Sequence, residues 1–154
     1  MEEKDWLTMW STPNQIQKVI ETNQYTERFG LVLSEEDAEL LVQERRNCLK
    51  EQQRVEFGEG ILTKIICTFC DSPYIQKEEY AATVARLQEI FYLYKNESLD
   101  ELTDDELLAY MKEKFDEECE GDLEYLESTV LEEFARKIRS QTTKYIGRYR
   151  REDV

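Results

Sequence analysis

The sequence predicts an all-α fold, a single-domain bundle of five to six helices, and three observations carry that prediction. Glycine and proline are scarce, five and two in a chain of 154 residues. Apolar residues recur at three- and four-residue spacing, the period of one helix face. The apolar supply, 40% of residues with nine Tyr, six Phe and two Trp, can fill a core in a way that disordered chains of similar charge cannot. At this length one domain over residues 1–154 is the default, burying about 70% of the surface the unfolded chain exposes.

Trp6 and Trp10, four apart, share one side of an N-terminal helical turn. Ser11-Thr12-Pro13 reads as a cap with a first-turn proline, opening a short helix that carries Ile16, Val19 and Ile20. Phe29-Gly30-Leu31-Val32-Leu33 has no helical cue and reads as extended. Ser34 then caps a helix whose first turn holds Glu35, Glu36 and Asp37 at the positive dipole end. It is expected to bury Ala38, Leu41, Val42 and Leu49 and to leave Arg45, Arg46 and Lys50 solvated. Arg54-Val55-Glu56-Phe57 alternates polar and apolar residues before Gly58 and Gly60. That pattern admits a minimal two-stranded β-ribbon of residues 31–33 with 54–57.

From Ile61 the period is helical again, with Leu62, Ile65, Ile66 and Phe69 on one face of what reads as the central buried helix. Asp71-Ser72-Pro73 stops it, because the residue before proline is pushed out of the α region. Asp71 or Ser72 can bond the next backbone N–H groups, and Tyr74 and Ile75 are expected to return the chain to the core. Residues 77–95 give the clearest helix: Tyr80, Val84, Leu87, Phe91 and Tyr94 make a packing seam. Asn96-Glu97-Ser98 breaks it. Thr103 with Glu106 forms a capping box, followed by the buried face Leu107, Leu108, Met111 and Phe115. Gly121 separates that helix from a last one carrying Leu123, Leu126, Val130, Phe134 and Ile138.

Composition excludes several functions. There is no histidine, hence no Ser-His-Asp or Cys-His catalysis and no histidine metal ligand. No enzyme and no cofactor are expected. A net charge of −15 argues against binding a nucleic-acid backbone, even though Lys144-Tyr145-Ile146-Gly147-Arg148-Tyr149-Arg150-Arg151 interleaves bases with aromatics. The first residues lack a basic and an apolar region of signal-peptide type, and the apolar run around Ile65-Ile66-Cys67 is far short of the ~18 residues that span a membrane. A cytoplasmic protein with reduced thiols is the expectation, with no membrane contact.

The charge is uneven. Residues 97–135 hold 16 acids against two bases, Lys112 and Lys114, a net −14. Residues 136–154 hold seven bases against two acids, and the tail 140–154 is expected to fray or to dock on the chain itself. The acidic helix pair is therefore the expected surface for a basic protein partner, through Asp104, Asp105, Glu113, Glu117 and Glu124. The same acids, at phosphate-like spacing, would suit a DNA-mimicking inhibitor of a basic protein. Trp6, Leu7 and Trp10 suggest either docking on the chain's own core or a homodimer.

Two motifs carry metal or redox readings. On a twelve-residue EF-hand frame Asp116 takes position 1, Glu118 position 3, Glu120 position 5, Gly121 position 6 and Glu127 the bidentate position 12, with Asp122 alongside. Glutamates at positions 3 and 5 are a methylene too long, so weak Ca2+ binding stands against a simple Gly121 C-cap with Asp122 opening the next helix. Cys67-Thr68-Phe69-Cys70 is a CxxC at the wrong helix end for thiolate stabilisation, and it lacks a second pair for zinc. Two buried core thiols is the favoured reading.

Phe57-Gly-Glu-Gly-Ile61, Phe69-Cys-Asp-Ser-Pro-Tyr-Ile75, Leu87-Gln-Glu-Ile-Phe-Tyr92, Tyr94-Lys-Asn-Glu-Ser98 and Asp105-Glu-Leu107 together resemble a family of small acidic bacterial proteins of unknown function. The likeness spans about Phe29 to Arg139. It implies a bacterial cytoplasmic protein with a self-contained fold, and it carries over no activity, cofactor or catalytic residue.

Overall fold

The computed structural model describes residues 13–56 and 60–141. The fold is all-helical, as the sequence predicts: α1 over 13–21, the single turn α2 (Asn23–Thr26), α3 (Glu35–Glu51), α4 (Leu62–Phe69), α5 (Tyr80–Glu97), α6 (Asp104–Asp116) and α7 over 123–141. A 3-10 turn, Glu27–Phe29, extends α2, and another, Lys77–Glu79, leads into α5. Of the described residues, those up to Glu89 form one compact unit and those from Ile90 onward a second. Among the described residues no helix is long and apolar enough to cross a membrane. The Trp6 and Trp10 turn, the Ser11-Thr12 cap, Phe57 with Gly58, and the basic segment from Lys144 lie outside the described residues.

In the first unit, Ser34 and Asp37 cap α3 reciprocally: Asp37 N–H donates to Ser34 Oγ at 3.0 Å, and Ser34 N–H donates to the Asp37 carboxylate at 3.3 Å. The helix buries Ala38, Leu41, Val42 and Cys48, while Leu49 is only half-buried. Arg45 corrects the expectation of a solvated basic face. It is 4% exposed, its Nε donating to Glu56 Oε1 at 2.8 Å and its Nη2 to the Glu56 carbonyl at 3.2 Å. A guanidinium can be buried here because a carboxylate and a carbonyl meet its fork.

The β-ribbon does not form: among the described residues there is no strand. Leu31–Leu33 is extended, but α2 takes its backbone groups. Asn23 both donates to the Leu33 carbonyl at 2.9 Å and accepts from Leu33 N–H at 2.8 Å, and Thr26 Oγ1 donates to the Leu31 carbonyl at 2.7 Å. On the other side, Arg45 holds Glu56. Local side chains thus satisfy the groups a ladder would have used.

α4 buries Leu62, Ile65, Ile66 and Phe69, each at most 2% exposed, but Lys64 and Cys67 face outward, so it is not enclosed all round. Its stop is the expected one, with Tyr74 N–H donating to Ser72 Oγ at 3.2 Å. Tyr74 itself is exposed and Ile75 half-buried, so only Ile75 turns inward.

In the second unit, Ile90, Phe91, Tyr92 and Tyr94 of α5, Leu107, Leu108, Met111 and Phe115 of α6, and Leu126, Val130, Leu131 and Ala135 of α7 are buried. Leu123, predicted with this set, is only half-buried. Beyond Val130 the buried residues differ from the predicted Phe134 and Ile138. The cause is a π-helical stretch, Leu126–Leu131, between the α-helical turn Leu123–Tyr125 and the α-helix over 132–141. The extra residue in a π turn rotates everything beyond it by about one position, so Leu131 and Ala135 replace Phe134 and Ile138 inside. Phe134 is instead half-buried and stacks on Tyr110, ring centroids 4.1 Å apart at 18°.

Candidate functional site

The acidic segment is built on the second unit. The α5–α6 turn is closed by Lys95, which donates to the Leu102 carbonyl and pairs with Asp104 Oδ1 at 2.9 Å. α6 then starts on the predicted capping box: Glu106 N–H donates to Thr103 Oγ1 at 3.1 Å and Thr103 N–H to Glu106 Oε1 at 2.9 Å. Those bonds hold the Glu106 carboxyl below the usual range. From the first turn onward Asp105, Glu113 and Glu117 fall at multiples of four residues, hence on one side of the helix, and all three are exposed. Glu124 is exposed in the first turn of α7.

The candidate partner residues thus separate. Asp104 is half-buried and paired with Lys95, and the side chains of Glu113, Glu117 and Glu124 are exposed, as is that of Asp105. Both lysines of the segment are engaged close by. Lys112 pairs with Asp116 at 2.5 Å, and Lys114 pairs with Glu118 at 2.6 Å and lies over the Tyr110 ring. The bond to Glu118 raises the Lys114 pKa, so this cation stays charged.

The five acids of the EF-hand frame are not drawn together. Asp116 and Glu118 meet lysines, and Asp122 caps α7 by accepting from Tyr125 N–H at 3.1 Å. Glu120 and Gly121, with φ of 46° and 84°, turn the chain between helices, and Gly121 N–H closes the turn on the Phe115 carbonyl at 2.8 Å. Glu127 lies within the π-helical stretch. Among the described residues no group of three or more Cys, Asp or Glu could hold a metal ion.

A polar network missed by the sequence reading joins α5 to α7. Arg139 donates to Glu97 Oε2 at 2.8 Å, to the Glu97 carbonyl at 3.2 Å and to Glu132 Oε1 at 3.0 Å. Tyr94 Oη directs its one proton to the Glu127 carbonyl at 2.5 Å and shares it with Glu132 Oε2 at 3.2 Å. The Arg139 bond holds the Glu132 carboxyl below its ordinary value, and burial raises the Tyr94 phenol. The sequence signal was there: Arg139 sits seven residues after Glu132, about two helical turns.

The cysteines divide by environment. Cys48, Cys70 and Cys119 are buried and Cys67 is exposed, which corrects the picture of two core thiols in the CxxC. Burial, with Glu44 and Glu89 adding to it, pushes the Cys48 thiol up to about 12.

No curated protein and no solved structure matches the chain. A family model does, over residues 18–144, reaching further at both ends than the quoted motifs suggest. The chain belongs to that family, DUF6323, a family of unknown function.

Proposed function

We propose that the protein is a non-enzymatic protein–protein interaction module that offers the outer side of α6 and the α6–α7 turn to a basic partner. One observation carries the reading. Glu113, Glu117 and Glu124 are exposed in a stretch of 16 acids whose two lysines already pair with Asp116 and Glu118. Lys95, Arg136 and Arg139 answer Asp104, Glu97 and Glu132 from outside the segment, so with the two lysines five cations stand against 16 acids and negative charge remains in surplus. A surface of one sign steers an oppositely charged partner and raises its association rate more than its affinity.

The test is capture from native lysate by the wild-type protein and by a Glu113→Lys, Glu117→Lys, Glu124→Lys variant. Basic proteins should be retained at low salt and released at about 0.5 M salt, where the Debye length falls to about 4 Å. The triple variant should lose them at low salt. Capture indifferent to both salt and charge reversal would sink the proposal and point to an apolar interface.

A further inference from the structure

The last turn of α4 and its C-cap carry two thiols, not joined in a disulfide, in unlike surroundings. Cys67 is exposed, while Cys70, the C-cap residue, is 2% exposed. Cys70 keeps right-handed helical angles, φ −64° and ψ −22°, so the pair spans a single helical turn. Three residues along a helix put the two Cα atoms about 5 Å apart, inside the range that disulfides occupy. Cys70 Sγ also folds back over this turn, donating to the Cys67 carbonyl at 3.4 Å, so its sulfur already points toward its neighbour's backbone.

We propose that Cys67 and Cys70 are a redox pair that closes to a disulfide across the end of α4, the exposed Cys67 meeting the oxidant and the buried Cys70 resolving the intermediate. The oxidant class is a low-molecular-weight disulfide, such as glutathione disulfide. Cys67, as thiolate, attacks one glutathione sulfur. The glutathione S–S bond breaks, a Cys67–glutathione bond forms and one glutathione thiolate leaves. Cys70, as thiolate, then attacks Cys67 Sγ and expels the second glutathione thiolate. The two protons released by the cysteines end on the two departing glutathiones, so two protein thiols are oxidised while one glutathione disulfide is reduced.

The location sets the character of this pair. Strongly oxidising CxxC pairs gain their potential from a stabilised thiolate at a helix N-terminus. Here the pair lies at the carbonyl end of α4, and partial desolvation of the Cys67 sulfur by its neighbours pushes that thiol up although the residue is exposed. The Tyr80 phenol, within electrostatic reach of both sulfurs, is itself pushed up by burial to about 12 and offers no base. With the reduced form unaided, closure is slow at neutral pH and the disulfide, once formed, resists reduction.

The full-length wild-type protein is equilibrated in mixtures of reduced and oxidised glutathione, quenched with acid, alkylated and mapped by mass spectrometry. The expected result is a Cys67–Cys70 linked peptide that persists in about a tenfold excess of reduced glutathione, with Cys48 and Cys119 alkylated. Cys70→Ser should trap glutathione on Cys67. Three wild-type outcomes overturn the proposal: both thiols alkylated throughout, glutathione retained on Cys67 beside an alkylated Cys70, or Cys67 linked to another cysteine. The mapping decides the matter even if the serine variant fails to fold.

Discussion

Tyr94 donates its hydroxyl to the carbonyl of Glu127 at 2.5 Å, inside the π-helical stretch of α7. A π turn departs from the i→i+4 ladder, and Glu132 N–H goes to the Thr129 carbonyl. The phenol from α5 thus serves a carbonyl at the point where the helix widens. Burial raises the phenol above its ordinary value, which favours the protonated, donating form. Tyr94→Phe removes the donor and preserves the ring. It should cost about 1–2 kcal/mol, the penalty for stripping a partner from a half-buried acceptor. Urea unfolding should show a lower midpoint at unchanged slope. An unchanged midpoint would mean that water replaces the phenol.

Gly60 closes on the Arg45–Glu56 pair. A Cβ there would stand 1.9 Å from Glu56 Oε1 and 2.8 Å from Arg45 Nε, on a backbone with φ of 66°. The glutamate tip could ordinarily swing away, but the buried Arg45 holds it. Gly60→Ala must strain the backbone or separate the pair, and should destabilise by about 2–3 kcal/mol. Gly30, also at positive φ but with no atom within 4 Å of the added Cβ, provides the comparison. Gly30→Ala should lose only the conformational part, about 1 kcal/mol.

Those glycines also show how far the sequence could be read. The helix starts were legible because Ser34 and Thr103 cap with their own side chains. The Thr103–Glu106 box formed as expected, and Asp37, expected only as a first-turn acid, adds a reciprocal bond to the Ser34 cap. Helix ends were less so. α3 closes with Arg54 N–H on the Leu49 carbonyl and Gln53 at φ 55°, and α5 with Asp100 N–H on the Lys95 carbonyl and Leu99 at φ 58°. Both are Schellman closures whose left-handed position lacks the usual glycine. The acidic face was legible from charge alone. Its internal pairing was not, because Lys95 reaches Asp104 only once the α5–α6 turn exists, and the π turn that moved Phe134 onto Tyr110 has no signature in spacing.

Leu99 gives the corresponding stabilising prediction. A left-handed conformation costs a branched residue about 1–2 kcal/mol, and Leu99, 46% exposed, has little burial to lose. Leu99→Gly relieves the strain, offset in part by the greater freedom of glycine in the unfolded chain. A net gain of about 0.5–1 kcal/mol is expected, seen as a higher denaturant midpoint. A loss would show that the Leu99 side chain packs more than its exposure suggests.

Calcium is addressed by the lysines. With Asp116 on Lys112, Glu118 on Lys114 and Asp122 on the Tyr125 N–H, assembling a Ca2+ site would require breaking all of these contacts. Millimolar Ca2+ should therefore leave the thermal midpoint unchanged. A rise that disappears in Asp116→Asn with Glu127→Gln would establish that the acids do rearrange around the ion.

Acid should loosen the Arg139 network in a defined direction. Glu132 is held below its ordinary carboxyl value, first by the Arg139 hydrogen bond and then by Tyr94. A depressed folded-state value means that the unfolded chain takes up the proton more readily. The stabilisation is therefore complete above the unfolded carboxyl value, about 4.3, and is lost as pH falls through the lower folded value. Glu106, lowered by its Thr103 cap, adds to the same trend without involving Arg139. Urea midpoints of wild type and Glu132→Gln should differ near pH 7 and converge as pH falls below about 4. Curves that stay parallel would place the acid sensitivity outside this network. Convergence in Glu132→Gln but not in Thr103→Ala would assign it to the Glu132–Arg139 pair, since only that substitution removes the charge Arg139 binds.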